Sequence, residues 1–429
     1  MILTLLGVLI AFILIIVLIR KHFNFGLSLL LGALIVGVFS LDTISLLDIP
    51  KAFVEASVYS FADHQIVTET IELAILLMVV YLLAKCMQET CAIPRLIQSL
   101  KTFFSKGGTL GLIPAVYGLM PVPGGALFSA PFMDAEGEKH RLNPNQKNLL
   151  NIWFRHIWFP IYPISSAMLL ICSQDFSNIN IFLLMGANIP AFLAFIVIGA
   201  VFLNHYTKKP SESPAVFRKK EYRGLMFLLP PILPVFLYLV FLVFIDFATI
   251  RLYERLIFIA GVLLSILVLF FLSKSDWKTY SGILRKNVSW NLAFVIFGIM
   301  IFRQMFEVAK ANEYIANVFV AFSLPALLMI VLIPFLLGLI TGYNLGAVAL
   351  SYFLVQPFFL VTNITIVGLT SIIFLSSLVG YLISPIHLCN VLSSDYLKTD
   401  PTRIYKLFIP ASLCLLVVQV VFVVLFMRL

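Results

Sequence analysis

The sequence predicts an all-α polytopic membrane protein made of two inverted repeats of five transmembrane helices, each with a re-entrant hairpin and a broken helix. Composition, the length of the apolar blocks and the sorting of basic residues predict it. Of 429 residues, 61% are hydrophobic and 11% charged, against about 25% charged in an ordinary globular chain. A soluble fold cannot cover that much apolar surface with so few charges. The apolar residues fall in long blocks, such as 2–19, 66–83, 256–272 and 407–427, each near the roughly 20 residues that cross hydrocarbon. The net charge of +9 does not gather into a nucleic-acid-binding patch. With the N-terminus outside, the inner segments 20–24, 85–106, 134–147, 204–223, 273–287 and 394–406 hold 22 of the 29 lysines and arginines. The outer loop 41–65 has Lys51 against Asp42, Asp48, Glu55 and Asp63. This asymmetry follows the positive-inside rule, puts both termini outside, and makes the charge a signal of topology.

The elements follow in order. No basic residue precedes the first block and no small-residue cleavage site precedes Arg20 and Lys21, so it reads as a retained helix and not a secretory signal. Five crossings are expected near 2–19, 25–40, 66–88, 148–170 and 181–203, and five more near 225–245, 256–272, 288–306, 364–388 and 407–427. This divides the chain into a repeat over 1–205, a cytoplasmic linker over 206–223 and a second repeat over 224–429. An odd number of crossings per half turns the second half upside down. Marks recur about 220 residues apart: Pro114 and Gly118 against Pro334 and Gly338, and Ile189-Pro190-Ala191 against Ile409-Pro410-Ala411, with Pro160 and Pro385 a looser pair.

Between the third and fourth crossings of each half lies an interrupted apolar stretch. The first, near 107–134, contains Met120-Pro121-Val122-Pro123-Gly124-Gly125-Ala126; the second, near 325–357, contains Ile340-Thr341-Gly342-Tyr343-Asn344-Leu345-Gly346-Ala347. Proline removes amide donors and glycine is conformationally free, so the chain turns there. Lipid cannot satisfy irregular backbone, and such turns must face protein, water or ligand. Paired at matching positions, they point to a transport site, although ordinary loop tips or helix kinks have the same letters.

The following crossings are broken too, at Arg155-His156-Ile157-Trp158-Phe159-Pro160-Ile161-Tyr162-Pro163-Ile164-Ser165-Ser166 and at Ser384-Pro385-Ile386-His387-Leu388-Cys389-Asn390. Half-helix N-termini suit an anionic group and unwound carbonyls a cation. Ser165, Ser166, Ser384 and Asn390 suit solute binding and equally suit helix packing. His387 suits proton carriage, and equally a neutral ring bonded to backbone. Arg155 either meets an anion or snorkels to the inner surface, the reading favoured here. Glu72 is the most buried-looking carboxylate; it reads as a coupling acid, or as an interfacial acid at a helix start after Thr68 and Thr70. With no other acid deep in a crossing, a carboxylate relay lacks support, whereas sodium held by carbonyls and hydroxyls, for instance near Pro121 and Gly342, needs no acid. The five cysteines show no zinc-like or disulfide-like spacing and read as packing residues. No His-Glu-x-x-His, nucleotide-loop or nucleophile-elbow motif occurs, so no enzyme activity, resident cofactor or nucleic-acid partner is expected.

The run Gly118-Leu119-Met120-Pro121-Val122-Pro123-Gly124-Gly125-Ala126, with Ser384-Pro385-Ile386-His387-Leu388-Cys389, resembles an uncharacterised family of prokaryotic membrane proteins. That family is grouped with the ion-transporter superfamily of gluconate, dicarboxylate, citrate and lactate permeases and some sodium/proton antiporters. The resemblance implies inverted repeats, solute and cation at the hairpin tips, a homodimer moving as an elevator, and a multi-pass place in the inner membrane of a prokaryote. Sodium/dicarboxylate members carry Ser-Asn-Thr at both tips; here Pro123-Gly124-Gly125 and Tyr343-Asn344-Leu345 stand there, so dicarboxylate specificity does not carry over.

The expected function is therefore secondary transport of a small organic anion, coupled to sodium or protons. Pro123, Gly124, Gly125, Ser165, Ser166, Thr341, Tyr343, Asn344, Gly346, Ser384, His387 and Asn390 are candidates for the solute, and Pro121, Gly342 and Glu72 for the cation. The alternatives are a sodium/proton antiporter needing Glu72, a channel, or an intramembrane enzyme or lipid-handling protein. The enzyme needs a nucleophile and base together at depth, where the sequence offers only His156 and His387, read as isolated.

Overall fold

The computed structural model describes residues 1–61, 64–104, 107–120, 124–207 and 221–429. Most of this is helix, and the strands among the described residues form a small antiparallel ribbon of β1 (Tyr59–Ser60) and β2 (Gln65–Ile66). Among the described residues, nine helical spans are long and apolar enough to cross a membrane, and the chain is a multi-pass membrane protein.

Helices α1 (Ile2–Arg20) and α2 (Phe25–Phe39) form an antiparallel pair. Asn24 begins α2 by accepting a hydrogen bond from the Leu27 amide at 3.1 Å, the usual service of an N-cap side chain. After α3 (Asp48–Ser57) come α4 (Glu69–Glu89) and α5 (Ala92–Leu100). The first proline- and glycine-rich stretch folds as α6 (Gly108–Gly118) and α7 (Ala126–Glu138). Asn143 and Gln146 close a capping box that starts α8 (Pro144–Arg155). Then follow α9 (Ser166–Ile171), α10 (Ile181–Ala187) and α11 (Ile189–Tyr206).

The second half runs α12 (Leu229–Phe244), α13 (Phe247–Ser273), α14 (Trp277–Lys286), α15 (Trp290–Val308) and α16 (Ala311–Ala321). Asp246 and Asp276 cap α13 and α14 through the Thr249 and Thr279 amides. The second glycine-rich stretch folds as α17 (Ala326–Thr341) and α18 (Asn344–Val355). The chain ends in α19 (Ile366–Ile383), α20 (Leu388–Leu397) and α21 (Pro401–Phe426).

Three expected crossings differ. Residues 148–170 are not one helix: Pro160 and Pro163 deny the ladder two donors, and residues 156–165 separate α8 from α9. The span near 181–203 is jointed at Asn188 between α10 and α11. The span near 364–388 breaks at 384–387, and its second piece, α20, extends to Leu397. Helix α2, at 15 residues, is shorter than a usual span. Residues 344–361, expected as the return limb of a hairpin, are themselves long and apolar enough to cross.

Buried amides tie the two halves of the chain together. Asn151 on α8 donates to the Ala126 carbonyl at 3.0 Å and to Ser393 Oγ on α20 at 2.8 Å, and accepts from Ser129 on α7 at 2.5 Å. Asn148 accepts from Ser393 at 2.6 Å and donates to Ser394 at 2.8 Å. A second knot joins Asn188, Ser371 and Gln419, with Asn188 donating to the Pro160 carbonyl at 2.8 Å. Without water to compete, such bonds fix which helix surfaces meet. Asn151→Leu is expected to cost roughly 1–3 kcal/mol by removing the buried hydrogen bonds to Ser129, Ser393 and the Ala126 carbonyl, groups that keep one another or Asn148 as partners; thermal unfolding in detergent checks it, and an unchanged midpoint would show the knot idle.

Candidate functional site

The four breaks meet. Gly118, closing α6, approaches α8 so closely that an added Cβ would fall 2.2 Å from the Arg155 carbonyl oxygen. Gly342, between α17 and α18, has φ +59 and packs on Ile386 of the 384–387 break. Gly124, between α6 and α7, has φ +68 and lies against Leu388 and Leu392. Both glycines adopt a left-handed backbone that residues with a Cβ rarely tolerate. His156 and His387 bring the last two breaks together, with ring centroids 4.9 Å apart.

A cavity of about 310 Å³ occupies this junction. Gly124, Arg155, Phe159, Tyr162, Ser165 and Ser166 form one wall, and Thr341, Gly342, Tyr343, Asn344, Ile386 and Cys389 another. It extends to Ile19, Arg20 and His22 at the end of α1, and no carboxylate lines it among the described residues. Three of its polar atoms, the hydroxyls of Tyr162 and Ser165 and the amide oxygen of Asn344, are buried with no hydrogen-bond partner among the described residues. Orphaned polar groups in a low-dielectric wall are costly unless something binds them.

Arg155 does not snorkel. It is 2% exposed, donating from Nη1 to the Tyr117 carbonyl at 2.6 Å and from Nη2 to the Met120 carbonyl at 3.3 Å. The end of α6 offers carbonyls that the α-helical ladder cannot satisfy; that of Tyr117 also accepts from the Met120 amide at 3.2 Å, and the guanidinium fork binds it together with that of Met120. Gly125 leaves room for it, since a Cβ there would lie 1.9 Å from Nη2. At the far end of α7, Glu136 accepts from Lys139 at 2.9 Å and Thr109 at 3.1 Å. Burial pushes the Glu136 carboxyl up, and the Lys139 hydrogen bond with the charges of Lys101 and Lys139 outweighs it, holding the group below the usual carboxylate range.

Other expected site residues divide. Ser165, Ser166, Thr341, Tyr343, Asn344, Gly124 and Gly342 line the cavity. Gly125 lies behind it against Arg155, and Gly346 against Phe25. Ser384 donates to the Leu339 carbonyl at 2.7 Å, holding the break to α17. Asn390 donates to the Tyr405 hydroxyl at 2.7 Å. These two secure the fold in place of facing solute. Pro121 and Pro123 lie outside the described residues.

Glu72 stands apart, in a separate cavity of about 220 Å³ with Glu69, Arg251, Glu254 and Arg255. Its carboxylate is 4.0 Å from Arg255, which also pairs with Asp175 at 3.2 Å, and Asp175 in turn meets Arg303 at 2.9 Å. At 23% side-chain exposure Glu72 is not the most buried acid: Glu254 is at 14% and Glu136 at 10%.

Of the cysteines, expected as packing residues, Cys86, Cys172 and Cys389 are buried and Cys91 and Cys414 exposed; Cys389 sits beside His156 and His387, which are neighbours and not isolated. The only trace in the sequence is that His387 and Cys389 are two apart after a proline; the contact with His156 spans the two halves of the chain.

No curated protein matches the chain in sequence. A family model does match, over residues 2–425, which takes in α1 to α20, all but the last residue of α21 and every residue lining the cavity. The chain belongs to DUF401, a family of proteins of unknown function.

Proposed function

We propose that the protein is a secondary active transporter of a small organic anion, coupled to sodium or protons and working by elevator-like alternating access. The observation that carries this is the cavity itself. It lies where four helix breaks converge, has Arg155 and Arg20 in its wall, lacks carboxylates among the described residues, and presents three unpartnered polar atoms. Cationic groups with free donors and acceptors in an apolar chamber suit a carboxylate with further hydroxyl or carbonyl groups.

Two inverted repeats support the reading. Gly118 and Gly338 occupy matching places, and each packs without room for a Cβ on the broken helix of its own half, at 2.2 Å from the Arg155 oxygen and 2.3 Å from the Ser377 oxygen. Helix–break–helix pairs followed by broken helices recur in the same order, which suits re-entrant hairpins meeting at the midplane. The cavity reaches Arg20 and His22, the end of α1 that charge sorting assigns to the cytoplasm, which supports reading this conformation as inward-facing. Arg255 neutralises Glu72 away from the cavity, which weakens the support for an antiporter built on that acid.

The test is thermal stabilisation of the purified protein by carboxylates, sugar acids and amino acids, each with sodium, with potassium and at two pH values. A bound solute at a hundredfold excess over its dissociation constant is expected to stabilise by roughly 2.7 kcal/mol, and Ser165→Ala and Asn344→Ala to weaken it. Stabilisation by sodium or pH with no solute would favour the antiporter. Solute binding untouched by Asn344→Ala or Gly124→Leu would move the site elsewhere.

A further inference from the structure

We infer that His156, His387 and Cys389 form a binding site for one thiophilic d10 metal ion, Zn2+ or Cu+. One ring nitrogen of each histidine and the Cys389 sulfur lie within 4.8 Å of one another, and all three residues are buried. They come from two different breaks: His156 follows α8, while His387 and Cys389 flank the first residue of α20. The trio exists only because the two halves of the chain meet there.

The ring orientations point to a ligand. His156 Nδ1 is 2.7 Å from the Ile152 carbonyl oxygen and His387 Nδ1 is 3.4 Å from that of Leu382. A carbonyl only accepts, so each Nδ1 carries a proton and donates it, which leaves Nε2 as the nitrogen whose lone pair can bind a metal. Both Nε2 atoms are buried and lack an oxygen or nitrogen partner among the described residues, the Cys389 thiol being the polar group that neighbours both rings. Backbone carbonyls holding Nδ1–H so that Nε2 faces inward is the outer-shell arrangement that fixes metal-binding histidines.

Two imidazoles and a thiolate suit Zn2+ and Cu+, whereas Mg2+ and Ca2+ take oxygen donors, which this trio lacks. Zinc bonds of about 2.0 Å to nitrogen and 2.3 Å to sulfur set donor separations near 3.3–3.6 Å, which a modest inward movement of the side chains supplies. Binding displaces the thiol proton to solvent, so one ion enters as one proton leaves. Tyr381 and Phe159 enclose the imidazoles, with centroids 4.0 Å from His387 and 4.8 Å from His156. Cys389 also lines the cavity, placing the ion at its wall. The site rests on side-chain geometry alone and holds whatever the cavity carries.

The experiment uses the full chain, purified in detergent and stripped with chelator. Co2+ is titrated as a spectroscopic stand-in for Zn2+, and Cu+ is titrated anaerobically against a chromophoric Cu+ chelator. One equivalent of either ion is expected to bind, Co2+ with a thiolate-to-metal charge-transfer band in the near ultraviolet. Cys389→Ser should abolish the band, Cys414→Ser should keep it, and His387→Ala should weaken binding by about tenfold or more, since even outer-shell changes cost that much. Failure of the folded wild-type chain to bind either ion overturns the site, as does a band that survives Cys389→Ser. The wild-type titration decides the matter even where a variant does not fold.

Discussion

Arg155→Leu is expected to lower stability by roughly 2–6 kcal/mol and to abolish anion binding in the cavity. The stability term follows from the two carbonyls that the guanidinium satisfies. Tyr117 and Met120 lie at and just past the end of α6; the Tyr117 carbonyl keeps the Met120 amide at 3.2 Å, and each bond lost from the buried guanidinium costs about 1–3 kcal/mol. The residue is 2% exposed, so solvent hardly competes for these bonds in the folded chain. The binding term follows from charge, since Arg155 also lines the cavity and electrostatic attraction is strong where the dielectric is low. Arg155→Lys separates the two. A lysine keeps the charge, but a single ammonium cannot reproduce a planar fork across two carbonyls. It is expected to recover part of the anion affinity while leaving most of the stability loss. Unfolding followed by intrinsic fluorescence in detergent, with ligand titrations at a fixed temperature, gives both quantities. A leucine variant that melts with the wild type would show that the end of α6 stands without its brace.

The same residue shows what a linear reading reaches and where it stops. The breaks were legible, because Pro160, Pro163 and Pro385 and the glycines near 124 and 342 deny the helix its donors or its regular backbone whatever surrounds them. The apolar blocks were legible for the same local reason. Partners were not. Arg155 was expected to reach for the inner surface, since a lone cation in an apolar helix ordinarily snorkels; its acceptors come from another helix. Ser384 and Asn390 were read as solute ligands, yet Leu339 and Tyr405 claim them. Small polar residues beside a proline have identical letters whether they face a cavity or a neighbouring helix. His156 and His387 looked isolated because their proximity is made by the docking of one half of the chain on the other. Glu72 reads from the sequence as a coupling acid or an interfacial one, and its partner Arg255 lies far along the chain.

Gly380→Ala is expected to destabilise the protein by about 3 kcal/mol or more, at or beyond the upper end of ordinary overpacking. The new methyl would stand 2.0 Å from the Phe335 carbonyl oxygen and 3.0 Å from the Leu339 amide nitrogen. These are backbone atoms of α17, so no rotamer change relieves the clash and the two helices must separate. Gly338 makes the reciprocal approach, with an added Cβ 2.3 Å from the Ser377 oxygen. Small residues that let two backbones touch are a main source of helix association where lipid is as apolar as the side chains. Gly186→Ala and Gly282→Ala provide the contrast, since nothing stands within 4 Å of a Cβ at either place, and alanine in a helix is favoured by roughly 0.5–1 kcal/mol. Those two should raise the unfolding midpoint slightly while Gly380→Ala lowers it sharply. The consequence extends to the cavity, because Tyr381, Ile386 and Cys389 follow Gly380 along the chain and Thr341 and Gly342 follow Phe335. Forcing α17 from α19 moves both sides of one wall, so anion affinity should fall together with stability. A Gly380→Ala variant that melts and binds like the wild type would show that the contact between α17 and α19 yields freely, and would remove the rigid wall on which the proposed binding site depends.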